Sequence, residues 1–171
     1  MTATSVPLQR EMYHTQKTGY KDLTEPVLCK RRNAWLGFGY YYWDEIEDAI
    51  RWGNDPKQEF KSYDIYISKI NCLDVLDTVF NEQHYRLWLK QIEKLGNHWI
   101  KNTGNKLTLK EMNEWFRERA QWDSVTGILF QDLPQNNEYL LVINFYYRKR
   151  VQLAVFKKEI ILSFDKHLHY E

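Results

Sequence analysis

Arg31-Arg32-Asn33-Ala34-Trp35-Leu36-Gly37-Phe38-Gly39-Tyr40-Tyr41-Tyr42-Trp43-Asp44 carries the densest information in the chain. Two glycines one residue apart sit inside a run of six aromatics, with two arginines before it and an acidic helix start after it. Glycine in a strand packs nothing and costs backbone entropy, so it marks a place where another backbone or a ligand comes close. From Gly39 the side chains alternate, which sends Tyr40 and Tyr42 to one face and Tyr41 and Trp43 to the other. One face can enter the core while the other lines a flat-walled cleft suited to a planar ring. A second reading of the same aromatics is that all of them are core.

Working outward, Asp44 is expected to cap a helix with Glu47 three residues on, with Ile46, Ala49 and Ile50 as its apolar stripe and Gly53 as its stop. Tyr63, Ile65 and Ile67 alternate with polar residues and predict a strand to about Ile70. Leu73 to Leu95 has helical spacing, with a break expected near Asn81 and an end at Gly96. Thr108 and Glu111 form a capping box ahead of Met112, Trp115, Phe116 and Ala120. Strands are expected at 125–130, 139–147, 151–156 and 160–164, with a loop at 132–137. On the N-terminal side, Met12 to Gln16 is expected to be a short strand with His14 at its end, followed by a loop through the basic cluster Lys30-Arg31-Arg32. Trp88, Trp99, Trp115 and Trp122 are expected to be packing residues. The order of elements predicts an α+β domain with a largely antiparallel sheet.

The 171 residues are most simply one domain, large enough to bury roughly 70% of the unfolded surface. A net charge of +1 removes any global electrostatic signature of a nucleic-acid or membrane binder, leaving only local patches. Cys29 and Cys72 are far apart without metal-type spacing and are expected to be reduced thiols of a cytoplasmic protein. No secretory signal and no membrane span are expected. His167 and His169 have no third ligand, so no metal site is predicted. An aromatic content of 16%, with 7 Trp and 12 Tyr, fits a stacking surface as well as a core.

Three anchor regions together resemble small bacterial ADP-ribosyltransferase-like proteins related to the poly(ADP-ribose) polymerase branch of that fold. They are Tyr13-His14 near the N-terminus, Trp35-Leu36-Gly37-Phe38-Gly39-Tyr40-Tyr41-Tyr42-Trp43 followed by an acidic helix ending in Arg51-Trp52, and Phe145 to Val155. The middle stretch, about 73–122, carries no motif of that family and would be a helical insertion. The resemblance implies a single domain, residues 1–171, with two small, mostly antiparallel sheets forming a cleft flanked by helices, and NAD as the substrate held there.

It further implies that His14 holds the adenosine-side ribose, that Tyr41 stacks on nicotinamide, and that the third position falls on Gln152. His14, Tyr41 and Gln152 would be the catalytic set; His14, Thr15, Gly37, Gly39, Tyr41 and Arg32 would contact NAD. Two departures stand out: Thr15-Gln16 where the family has Gly-Thr, and an amide at 152 where it has a carboxylate. Cleavage of the nicotinamide linkage develops an oxocarbenium-like ribose, so the protein must orient the ring and stabilise positive charge. Gln152 can hydrogen-bond a hydroxyl but is no base at neutral pH, which leaves Glu138 or Glu159 as candidate bases. Arg31, Arg32, Lys149 and Arg150 are expected to flank the cleft, contacting either the NAD pyrophosphate or a nucleic-acid acceptor. The implied activity is transfer of ADP-ribose to a protein or a nucleic acid such as RNA, in a toxin or phage-defence setting with a neutralising antitoxin. The other reading of the same residues is a non-catalytic nucleotide- or RNA-binding module.

Overall fold

A computed structural model of the chain describes residues 9–119, 122–132 and 149–171. Among them, seven strands form one hydrogen-bonded sheet: β1 (Gln9–Lys17), β2 (Tyr40–Trp43), β3 (Tyr63–Asn71), β4 (Val75–Asp77), β5 (Gly127–Asp132), β6 (Arg150–Val155) and β7 (Asp165–Tyr170). Their order across the sheet is β4-β5-β6-β2-β1-β3-β7, antiparallel except for the parallel β4–β5 pair at one edge. Three helices accompany it: α1 (Ile46–Gly53), α2 (Glu82–Thr103) and α3 (Leu109–Glu118). The mixed α+β class and the largely antiparallel sheet agree with the sequence; the two separate sheets implied by the family resemblance are here one continuous sheet.

The alternation read from the Tyr-Tyr-Tyr-Trp run holds. Tyr42, fully buried, packs on one face with Met12, Ile70, Leu129, Val151, Leu153 and Val155. On the opposite face the apolar side chains fall into two separate clusters. Trp88 and Leu95 of α2 and Met112 and Phe116 of α3 pack with Leu36, Trp122, Ile128 and Ala154; Ala49 of α1 packs with Trp43, Tyr63 and Ile65. Each fully buried Leu, Ile or Val contributes about 1.5–3 kcal/mol, so both clusters are firmly anchored to that face of the sheet.

Several local expectations are corrected. Leu73 to Val79 is not helical: Val75–Asp77 pairs with Gly127, Ile128 and Leu129, because their burial on both faces suits a strand between β5 and α2. The helix begins only at Glu82, capped by the Asn81 side chain on the His84 N–H, and runs through Gly96 to a left-handed Gly104. Asp44 does not cap α1; its carboxylate takes Arg10 at 2.9 Å, and Glu45 stands at the N-cap with no side-chain bond. The last strand is 165–170 rather than 160–164, where a short 3-10 turn, Lys158–Ile160, intervenes. His14 lies inside a nine-residue strand, not at its end. The Thr108–Glu111 capping box is present as read, and Trp88 and Trp122 are buried. Cys29 and Cys72 are both free. The expected strand 139–147 lies outside the described residues. No helix among the described residues is long and apolar enough to cross a membrane.

Candidate functional site

The gap between the two clusters under α1 and α3 is a cleft of about 1060 Å³. Its position follows from the strand register. Gln152 on β6 stands opposite Trp43 on β2 and Phe130 on β5. Trp43 belongs to the α1 cluster and Phe130 packs against the α3 cluster, so the polar residue between them marks the seam.

The second structural cause is a split in the sheet. β1 and β2 share a single register pair, Tyr13 with Trp43, whereas β1 runs the whole of its length against β3. Beyond that pair the His14 ring takes the place of the ladder, with Nδ1 2.8 Å from the Tyr41 carbonyl oxygen. A carbonyl only accepts, so Nδ1 carries the proton and Nε2 is the lone-pair nitrogen. Nε2 is buried without a hydrogen-bond partner. Burial disfavours the imidazolium and pushes the His14 pKa down to about 4, outweighing the bond to Tyr41, which favours it. His14 therefore lines the cleft as a neutral imidazole whose Nε2 is buried and unpartnered.

Gln152 is oriented just as firmly. The Trp35 indole N–H donates to Gln152 Oε1 at 2.7 Å, and Trp35 meets Phe130 edge-on at 5.3 Å between centroids. An indole N–H only donates, which assigns the amide oxygen to Trp35 and leaves the amide nitrogen as the free polar end. Trp35 itself sits on a braced turn. The Tyr41 hydroxyl donates to the Gly37 carbonyl at 2.7 Å and accepts from the Leu36 N–H at 3.1 Å. Asn113 and Arg117 of α3 donate to the Leu36 and Phe38 carbonyls, each at 3.0 Å. Burial raises the Tyr41 phenol well above its usual range, so it stays protonated.

The paired glycines serve this turn and its strand. Gly37 has φ +102°, a backbone conformation that a side chain strains. At Gly39 a Cβ would stand 2.7 Å from the Val155 carbonyl oxygen, so the glycine admits a neighbouring strand. Neither lines the cleft.

Of the residues singled out from sequence, His14, Thr15, Tyr41 and Gln152 all line the cleft, joined by Arg31 and Arg150. The Thr15 hydroxyl is committed to the Ala49 carbonyl at 2.8 Å, tying α1 to β1. Arg32 is exposed away from the cleft, its carbonyl accepting from Lys110, and Lys149 lies over the Phe80 ring instead. Glu159 is exposed on the Lys158–Ile160 turn and does not line the cleft; Glu138 lies outside the described residues. The rim is basic, with Lys30, Arg31, Arg51, Lys57 and Arg150 against Asp55 and Asp132. Among the described residues no His, Cys, Asp and Glu side chains are grouped to hold a metal ion.

The cleft is also lined by Trp35, which the second motif contains without a role, and by Asp132, expected in a loop. Carrying the alternation of Ile128 and Phe130 one step further puts it on the cleft face. No protein-family model, curated protein or solved structure matches the chain.

Proposed function

We propose that the cleft binds NAD and that the chain transfers ADP-ribose from it to a macromolecular acceptor. One observation carries this reading. Residues picked from three distant motifs, His14, Tyr41 and Gln152, stand on the adjacent strands β1, β2 and β6 and line the same cleft. A neutral His14 ring on the cleft wall suits a ribose, and the basic rim suits a pyrophosphate. The Tyr41 ring would orient nicotinamide, with an aromatic contact worth about 0.5–1.5 kcal/mol beyond burial. Departure of neutral nicotinamide then needs orientation and charge stabilisation more than acid catalysis. The acceptor is a protein or a nucleic acid, and the setting a bacterial toxin or phage-defence effector, intracellular and paired with a neutralising protein.

Gln152 favours a second reading, a nucleotide- or RNA-binding module without turnover, because its amide takes no proton. Free nicotinamide measured after incubation with NAD separates the two. Release that falls at least tenfold in His14→Ala and Tyr41→Ala supports the enzyme, and undetectable release by the native chain favours the binding module. Labelled NAD added to a cell lysate, followed by protease or nuclease, identifies the acceptor by which treatment destroys the labelled product.

A further inference from the structure

The amide at position 152 leaves the transfer reaction without a proton acceptor where the family resemblance places one. His14 Nε2 is a poor substitute, since burial penalises the imidazolium that proton uptake would create. Among the described residues the cleft is lined by two carboxylates, Asp55 and Asp132. Asp55 is engaged as the cap of the short 3-10 turn Pro56–Gln58, its Oδ1 accepting the Lys57 N–H at 2.9 Å.

Asp132 is placed differently. It ends β5 in register with Arg150, the first residue of β6, and its Oδ2 lies 3.0 Å from Arg150 Nη2. Gln152 is two residues along β6 from Arg150, so Asp132 and Gln152 are diagonal neighbours on one face, at a spacing of roughly 7–8 Å between backbones. The carboxylate thus stands beside the floor of the cleft, anchored through one oxygen.

We propose that Asp132 is the proton acceptor of the cleft, doing from β5 the work that Gln152 on β6 is unable to do. The inference rests on the NAD reading of the same site. In the step, the acceptor nucleophile X–H forms its bond to C1′ of the nicotinamide-bearing ribose. The C1′–N bond breaks, its electron pair leaves with neutral nicotinamide, and the proton of X–H passes to the Asp132 carboxylate and then to solvent. NAD and HX give ADP-ribosyl-X, nicotinamide and one proton. Burial pushes the Asp132 pKa up and makes it a stronger base; among the described residues the charged groups acting on it are Arg150 on β6, which favours the carboxylate, and Asp48 on α1, which adds to the rise.

Water as the acceptor makes this testable without knowing the target: nicotinamide release from NAD is followed across pH. Asp132→Asn is expected to lower release roughly 10²–10⁴-fold. NAD affinity, followed by tryptophan fluorescence, should stay within about threefold, since the base adds to the transition state rather than to ground-state binding. Asp132→Glu should keep most of the activity, with the acid limb of the pH profile moved. Release by Asp132→Asn within threefold of the native rate would overturn the assignment while leaving the NAD reading intact. So would an Asp132→Glu variant whose acid limb does not move, and that arm decides the matter if the Asn variant fails to fold. Absence of release by the native chain would instead overturn the NAD reading, and this inference with it.

Discussion

The wall of the cleft built on α1 and the wall built on α3 are held by different kinds of interaction. The α1 wall is a short helix lying through Ala49 on Trp43, Tyr63 and Ile65, with the Thr15 hydroxyl bonded to the Ala49 carbonyl. The α3 wall is larger and its working surface is not the helix but the 34–39 turn, pinned by Asn113, Arg117 and Tyr41 and delivering Trp35 to Gln152. The first wall is positioned mainly by apolar burial; the second by directed hydrogen bonds in a braced loop. His14 sits at the split between them with one ring nitrogen satisfied and the other buried without a partner. Burial places a surface, whereas a hydrogen-bonded brace also orients single atoms, which is what a bond-breaking site requires.

The comparison breaks most readily at His14. Its imidazole is neutral when folded, with a pKa near 4 against an ordinary 6.5, a gap corresponding to about 3 kcal/mol. Above about pH 6.5 both folded and unfolded chains hold it neutral, so it costs nothing there. As pH falls towards 4 the unfolded chain takes up a proton that the folded chain refuses, and stability is lost. Urea denaturation at pH 7 and pH 4.5 should therefore show a larger acid loss in the native chain than in His14→Gln. Equal losses would mean the ring is not buried neutral.

Next in size is Gly39→Ala. The added carbon meets the Val155 carbonyl at 2.7 Å, and relieving it should cost about 2 kcal/mol. A lowered melting temperature is expected even without ligand; unchanged stability with weakened NAD binding would restore a ligand-facing role to this glycine. Asn113→Ala should cost about 1–2 kcal/mol by removing a buried donor from the Leu36 carbonyl. Hydrogen exchange should show faster opening at 34–39 but not in α1. Uniform acceleration across both walls would erase the distinction drawn here. Thr15→Val is the smallest, about 1 kcal/mol, for the bond to Ala49. Its effect should be confined to α1, and a matching change at Trp35 would show the two walls to be one unit.

Much of the local structure was legible along the chain because it depends on neighbours. The period-two alternation of Tyr40 to Trp43 and the Thr108–Glu111 box survive folding, since a pleat and a helix end are built from residues next to one another. Leu73 to Val79 misled because Leu73, Leu76, Val79 and Phe80 are spaced like one helix face, and only the β5 partner makes Val75–Asp77 a strand. The basic residues misled in another way: Arg31 and Lys149 look alike in sequence, yet one lines the cleft and the other covers Phe80.

Sequence alone determined the residue types at 14, 41 and 152 and the alternation that sets Tyr41 and Gln152 on the faces of their strands. What tertiary structure decided was their state. Burial made His14 a neutral imidazole, an indole from a distant turn aimed the Gln152 amide, and cross-strand register brought Asp132 beside it. Protonation and orientation depend on dielectric and on hydrogen-bond partners far away in the chain, so no reading of adjacent residues contains them.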